Sequence, residues 1–346
     1  MAYLWASEKL SNSLPDVHLP QRSILFTSSF TSAFILDDLA LLRRRFAVEH
    51  ILTHGVHAFL PILRGVLRHD LTFTWFASLY AFVVVACARV FGKPSYIVVG
   101  GVDVMNVDGI DYGPWHSPVK RTLVGWAIRH ATGVLPVAEA LRTAALHLAR
   151  YDGANVTVIP TGYDSGRWRP SGSKERSVLC VAGCATRARL LIKGVDLFFA
   201  AARELKEERF VLVGTPPAVL GLLGEPVPPN VQVLPPVARE ELALLYQSSK
   251  VYVLPSRSEG LPNALCEAML SGCIPVATDV GGTSTAVGNT GWLVPANDVP
   301  ALVGAIREAL QAPDDQGAGA RERIITLYPV AQRENALTQL LSGASR

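Results

Sequence analysis

Short apolar runs alternate with longer stretches of helical periodicity along almost the whole chain. In the first half the runs predict strands at Ser23–Thr27, Phe46–Thr53, Leu71–Phe76, Tyr96–Val99, Gly133–Val137 and Val156–Ile159. In the second half they predict strands at Val178–Ala182, Phe210–Val213, Val231–Leu234, Val251–Leu254 and Ile274–Thr278. Strands separated by helices imply parallel sheets with right-handed crossovers, hence an α/β chain. Thr161–Arg176 (TGYDSGRWRPSGSKER) is polar, contains Gly and Pro, and reads as a linker with few contacts across it. The expected division is residues 1–160, a linker over 161–176, a second domain over 177–326, and a tail over 327–346. That tail, helical from about Gln332 to Leu341, is expected to pack back on the first domain. Doubly wound sheets bind ligands beyond the carboxyl ends of their strands, so a cleft between the two halves is the expected site.

One apolar stretch bears on membranes. Leu71 to Ala88 carries no charge, about the minimum for a span. It divides naturally, however, into a strand (LTFTWF) and a helix from Leu79 to Phe91, with Ser78 as N-cap and Gly92 and Pro94 as stop. The first residues, MAYLWASEKLSN, lack the basic start and apolar core of an export signal. With 49% hydrophobic and 18% charged residues, the chain can bury large cores, which excludes a disordered or fibrous protein. Net charge is +3, with 14 basic and 11 acidic residues in 1–160 and 18 of each in 161–346. That excess is too small for a nucleic-acid partner. The five cysteines (87, 180, 184, 266, 273) lie in apolar surroundings without a CxxC pair, as buried small hydrophobes would in a reducing compartment.

The loop after the first strand reads SSFTSAF, with neither GxGxxG nor a Walker sequence, so the usual dinucleotide and ATP cradles are absent. No HExxH, GxSxG or spaced metal-ligand cluster occurs, and His50, His54 and His57 read as surface or loop residues. The informative stretch is 251–283, VYVLPSRSEGLPNALCEAMLSGCIPVATDVGGT. A strand at Val251–Leu254 leads into a loop carrying Glu259 and Gly260, then a helix from about Asn263 to Ser271. Glu267 is the one charge in that apolar helix, and an apolar setting is costly for a carboxylate without a partner. The two glutamates bracket a helix N-terminus, which favours anions. A carboxylate accepts hydrogen bonds from sugar hydroxyls. A ligand with hydroxyls at both ends and phosphates between them, a nucleotide-sugar, fits this arrangement.

At these residues the chain resembles glycosyltransferase family 4, the retaining glycosyl transferases group 1 of the GT-B fold. Glu259 and Glu267 match its E-x7-E motif within PSRSEGLPNALCEAML. Similarity runs from about Val134 to Leu340, through VLPVAEALR, VIPTGYDSGRWRP, LIKGVDLFFAA, FVLVGTP and GGTSTAVGNTGWLVPAND. Before residue 130 it is looser, around FGKPSYIVVGGVDV. The resemblance implies two Rossmann-like domains facing each other, the first on the acceptor side and the second holding the donor. It implies that Glu267 binds the ribose, Glu259 the donor sugar, and Lys193 the diphosphate. The stretch Gly260, Leu261, Pro262, Asn263 and Ala264 would hold sugar and diphosphate through its backbone N–H groups.

Three positions depart from the family pattern. Cys184 stands where an Arg is usual; Arg187 or Arg189 would replace it, and Arg187 is favoured. Gly100 stands where many relatives carry a His, leaving Asp103 as the best-placed carboxylate of the first domain. Thr285 stands where an acidic residue is usual. The implied reaction is metal-independent transfer of a hexosyl unit from a UDP- or GDP-linked donor, with no cofactor, to a glycan, glycolipid or small-molecule hydroxyl. Other enzymes on the same fold, such as a nucleotide-sugar 2-epimerase or a phosphorylase, and a non-catalytic partner subunit are the competing readings. The expected location is the cytoplasm, with peripheral membrane contact left open by a mean hydropathy of +0.28.

Overall fold

The computed structural model describes residues 22–343, apart from 105, 108, 111, 112, 114–116 and 314. The expectation about an export signal falls outside the described residues. Five parallel strands form the first sheet: β1 (Ser23–Ser28), β2 (Ala47–Leu52), β3 (Leu71–Trp75), β4 (Ser95–Val99) and β5 (Gly133–Pro136), in the order β2-β1-β3-β4-β5. Every residue of β3 and β4 is buried, as parallel strands covered on both faces require. The crossovers are α1 (Ala33–Arg43), α2 (Phe59–Arg68), α3 (Leu79–Val90) and α4 (Pro118–His130), and α5 (Glu139–Ala149) follows β5.

The second sheet contains β6 (Glu175–Val181), β7 (Arg209–Val213), β8 (Val231–Leu234), β9 (Ser249–Leu254), β10 (Ile274–Thr278) and β11 (Trp292–Val294), in the order β11-β10-β9-β6-β7-β8. Its helices are α6 (Arg187–Ile192), α7 (Val195–Glu204), α8 (Pro217–Leu220), α9 (Arg239–Ser248), α10 (Asn263–Leu270), α11 (Thr283–Val287), α12 (Val299–Gln311) and α13 (Gln316–Leu327). The last helix, α14 (Val330–Ser342), leaves this domain and packs against α1 of the first.

The charge-free stretch from Leu71 divides into β3 and α3, and the Ser78 hydroxyl accepts from the Ala81 N–H as an N-cap. Among the described residues no helix is long and apolar enough to cross a membrane. Val156–Ile159 differs from expectation. It forms only an isolated bridge from Val156 to Val134, although Thr157 and Ile159 also donate to the carbonyls of Val134 and Pro136. Pro136, its partner on β5, has no N–H to donate to Thr157 O, so the ladder is interrupted after that one bridge.

The segment after Pro160 is polar in composition yet well packed. Thr161, Tyr163 and Trp168 are buried, and Lys174 Nζ donates to the carbonyls of Tyr246 and Ser271. Its aromatic side chains turn inward, so many contacts cross it where few were expected. Tyr163 also bridges to Pro329, its N–H donating to Tyr328 O at 2.9 Å, so the two chain crossings between the domains run side by side.

The strongest polar tie in the first domain comes from α14. Arg333 and Asp38 are both buried and paired in bidentate fashion, Nε to Oδ1 and Nη2 to Oδ2 at 2.5 Å each. Arg333 Nη1 also donates to Ile159 O and Pro160 O, and Trp75 Nε1 donates to Asp38 Oδ2. Each charge is thereby nearly saturated with partners, the condition under which burying an ion pair is tolerable.

Candidate functional site

The loop Pro255–Pro262 at the carboxyl end of β9 is stitched to the turn that carries Lys193. Gly194, with φ +66, lies so near this loop that a Cβ there would stand 1.9 Å from Pro255 O, so only glycine fits. Arg257 N–H donates to Ile192 O, and the Arg257 guanidinium grips Asp196 through Nη1–Oδ1 at 2.8 Å and Nη2–Oδ2 at 2.7 Å. This clamp holds Lys193, the C-cap residue of α6, against Glu259. Lys193 Nζ donates to Glu259 Oε1 at 2.6 Å, and Ser256 Oγ donates to the same oxygen at 2.6 Å. Arg257, Asp196 and Ser256 are positioning residues that the sequence reading missed; a basic residue in the loop and an acid at the start of α7 are their only signal.

Glycines also bring the loop against its other neighbours. Gly281, with φ +58, passes so close that a Cβ would lie 1.9 Å from Glu259 O, and Gly282 N–H donates to Gly260 O at 2.8 Å. From the first domain, Gly100 O would stand 2.6 Å from a Cβ placed on Gly260. The loop bearing Glu259 therefore meets the carboxyl end of β4 directly, backbone to backbone. Leu261 and Pro262 are buried, and Asn263 opens α10. The Asn263 side chain is committed elsewhere: its Oδ1 accepts from Tyr163 OH at 2.8 Å and Thr161 Oγ1 at 3.3 Å. Of Asn263 and Ala264, the backbone N–H groups in the first turn of α10 are what an anion could use.

Glu267 lies one turn beyond Asn263 on the same face of α10. Tyr246 OH donates to its Oε2 at 3.3 Å. Burial raises its carboxyl to about 7, with Arg239 and the Tyr246 hydroxyl pulling the other way. Glu267, Asn263, Thr161 and Tyr163 line a cavity of about 150 Å³ whose opposite wall is α1, with Phe34 and Asp37. Lys193 and Glu259 stand outside that cavity. The structure thus forms two clusters, Lys193–Glu259–Ser256 and Asn263–Glu267, rather than one continuous pocket.

The remaining candidates are placed as follows. Arg187 is exposed at the first position of α6, whereas Arg189 Nε reaches back to Gly183 O at 3.2 Å, in the loop that also carries Cys184. Arg189 is therefore the better placed of the two. Asp103 is 2% exposed. Its Oδ2 accepts from Ala77 N–H at 3.0 Å and Gly100 N–H at 3.3 Å, and its Oδ1 from Gly101 N–H at 2.8 Å. Burial lifts its carboxyl to about 6 against these bonds. A carboxylate enclosed in this way organises the loops after β3 and β4 and presents no face to an acceptor, which corrects its expected catalytic placement. A side chain at Gly100 would strike Phe76, whose ring would lie 2.5 Å from the Cβ. Phe76 itself has φ +71, an uncommon state for a residue with a side chain.

Across the cleft, Arg239 at the start of α9 pairs with Asp37 of α1, Nη1 to Oδ1 at 2.8 Å and Nη2 to Oδ2. Of the histidines, His54 and His57 are exposed, while His50 is half-buried in β2, with Nε2 2.9 Å from Ser28 Oγ. Among the described residues no three His, Cys, Asp or Glu side chains converge as a metal site.

Comparison with known proteins bears on the second domain and on the fold. Residues 176–312 match the family described as glycosyl transferases group 1. D-inositol 3-phosphate glycosyltransferase of Mycobacterium avium (strain 104) is 30% identical over 194 residues, 51% of this chain and 45% of that protein. Its counterpart in Acidothermus cellulolyticus is 30% identical over 231 residues, 54% of this chain and 51% of that protein. The chain spans about half the length of these curated relatives. Among solved structures, sucrose-phosphate synthase from Thermosynechococcus elongatus superposes with a TM-score of 0.76 at 17% identity, covering 94% of this chain and all of that one. Anabaena HepE in complex with UDP-glucose superposes with a TM-score of 0.74 at 16% identity, covering 93% and 99%. The fold is GT-B, two parallel-sheet α/β domains.

Proposed function

We propose that this chain, whose residues 176–312 match the glycosyl transferases group 1 family, is a retaining glycosyltransferase. It moves a hexosyl unit from a nucleotide diphosphate sugar to an acceptor hydroxyl, without a metal or cofactor. The observation that carries the reading is the Lys193–Glu259 pair at 2.6 Å, held at the approach to the α10 N-terminus with Glu267 one turn inside. A UDP-linked hexose is the first donor to test, since HepE was captured with UDP-glucose.

In this reading Glu267 accepts the ribose hydroxyls and Glu259 the hydroxyls of the transferred sugar. Lys193 turns from Glu259 to the diphosphate as the donor enters. Negative charge grows on the departing phosphate as the anomeric C–O bond breaks. Lys193, Arg189 and the first-turn N–H groups of α10 stabilise that charge where it develops. The acceptor oxygen attacks from the same face, and its proton passes to the leaving phosphate oxygen. Closure of the domains excludes water, which would otherwise take the sugar. The acceptor, a glycan, glycolipid or small molecule, binds on the first domain. The five free cysteines support a cytoplasmic location.

The test is a panel of nucleotide-sugars screened by thermal shift, followed by donor hydrolysis and transfer assays with Glu259→Gln alongside and with EDTA present. Stabilisation by one donor, turnover that survives EDTA and loss of turnover in the variant are expected. A protein that binds a donor yet neither hydrolyses nor transfers it would be a non-catalytic subunit. Conversion of the free nucleotide-sugar to its 2-epimer would make it an epimerase.

A further inference from the structure

We propose that the outer helical face of the first domain, built by α2 and α3, docks on an anionic lipid surface. This goes beyond the transferase reading and does not depend on it. The inner face of α2 places Ile62, Gly65 and Val66 in the core. A second apolar stripe faces outward on the same helix: Phe59, Leu60 and Leu67 are 54%, 49% and 52% exposed. Phe59, Leu63 and Leu67 follow one another at intervals of four, so they form one continuous line. α2 packs on α3, a helix whose one charge is Arg89, and Val90 at its end is 78% exposed with Phe91 beside it. A patch of this kind on a folded surface marks an interaction site.

The charges around the patch decide its occupant. Residues 54–95 contain four basic side chains, Arg64, Arg68, Arg89 and Lys93, and one acid, Asp70. Asp70 accepts from the Ser23 N–H and hydroxyl at 2.8 Å each, and Glu49, just outside this range, faces His69 Nε2 at 3.4 Å. Arg64 and Arg68 flank the apolar line on the exposed side of α2. Apolar side chains bordered by basic ones suit the boundary between acyl chains and anionic headgroups. A second copy of the same face would set basic against basic, so self-association is disfavoured. α2 begins at the carboxyl end of β2, the end of the sheet that faces the cleft. Docking would therefore hold the cleft mouth beside the lipid.

The test is co-sedimentation of the full chain with vesicles of mixed phosphatidylglycerol and phosphatidylcholine, and with phosphatidylcholine alone. Binding to the anionic vesicles at least tenfold tighter than to the neutral ones, and weakened by salt, is expected. Leu60→Ser with Leu67→Ser, and separately Arg64→Ser with Arg68→Ser, should each weaken it tenfold or more. Leu244→Ser, at an exposed position on the second domain, should leave it unchanged. These positions are exposed, so unchanged melting temperatures will show that the variants fold. Equal sedimentation of wild type and variants, or none, would overturn the proposal. So would a dimer in analytical ultracentrifugation that Leu67→Ser dissociates. Donor binding measured in parallel separates this outcome from the transferase reading.

Discussion

In the proposed reaction single residues carry the chemistry, and two of them allow sharp tests. In that proposal Glu267 accepts two hydroxyl donors as a carboxylate, and burial raises its carboxyl to about 7. About a tenth of it is ionised at pH 6 and about nine-tenths at pH 8, so donor affinity should rise about tenfold across that window. The sign follows from the direction of the shift: raising the pH through about 7 creates the acceptor. Calorimetry at the two pH values should show this slope in the wild type and lose it in Glu267→Gln. Lys193→Ala should lower kcat by about a hundredfold with a smaller rise in donor KM, because charge on the diphosphate is greatest in the transition state. Steady-state kinetics with saturating donor reads the split. Lys193 was singled out by the resemblance alone, whereas the position of Glu267 inside α10 was legible in the sequence from residue type and spacing. Asp103 was not: nothing in VVGGVDV shows that three loop N–H groups converge on one carboxylate. Arg187 and Arg189 are two positions apart on one helix, and only the direction of each side chain separates them.

At the scale of elements, the strands were legible because parallel strands must be apolar throughout, and ten of the expected runs became strands. The Val156–Ile159 run failed because Pro136 opposite it has no N–H to give, and β11 escaped notice because three residues leave no periodicity to read. Loop-on-loop contact was invisible, since it depends on which glycines face each other. Gly260→Ala tests that contact. The new methyl would meet Gly100 O at 2.6 Å and Leu141 Cδ1 at 2.9 Å, wedging the first domain from the loop that bears Glu259. Misplacement by about 1 Å costs about a hundredfold in rate. Transfer should fall by about that factor, while donor affinity, to which Gly260 would give only a backbone N–H in the proposed site, falls less. Rapid-quench turnover and calorimetry on the same variant measure the two effects.

For the whole molecule, α14 is the element that closes the chain on itself. Arg333→Ala would leave Asp38 buried with one neutral donor, Trp75 Nε1, and should destabilise the protein by about 3–5 kcal/mol in urea unfolding. Arg44→Ala, at the exposed pair with Glu334 on the same helix, should cost under about 1 kcal/mol. The gap between the two variants distinguishes anchorage from general surface charge. The helix of the tail, which the structure sets against α1, was legible in the sequence. The dense packing of the linker was not, because a polar average conceals Tyr163 and Trp168.

Those two crossings, at Tyr163 and Pro329, restrict how the halves can move. A single strand would let one domain spin about it like a swivel. Two strands bonded side by side act as a leaf hinge, which bends about one line and resists torsion. Opening and closing the cleft about that line should therefore be easier than twisting one half against the other. The pair also makes the second domain an insert within the first. An exchange of that insert between related chains therefore needs two junctions cut in register, and a splice at only one of them would unseat α14.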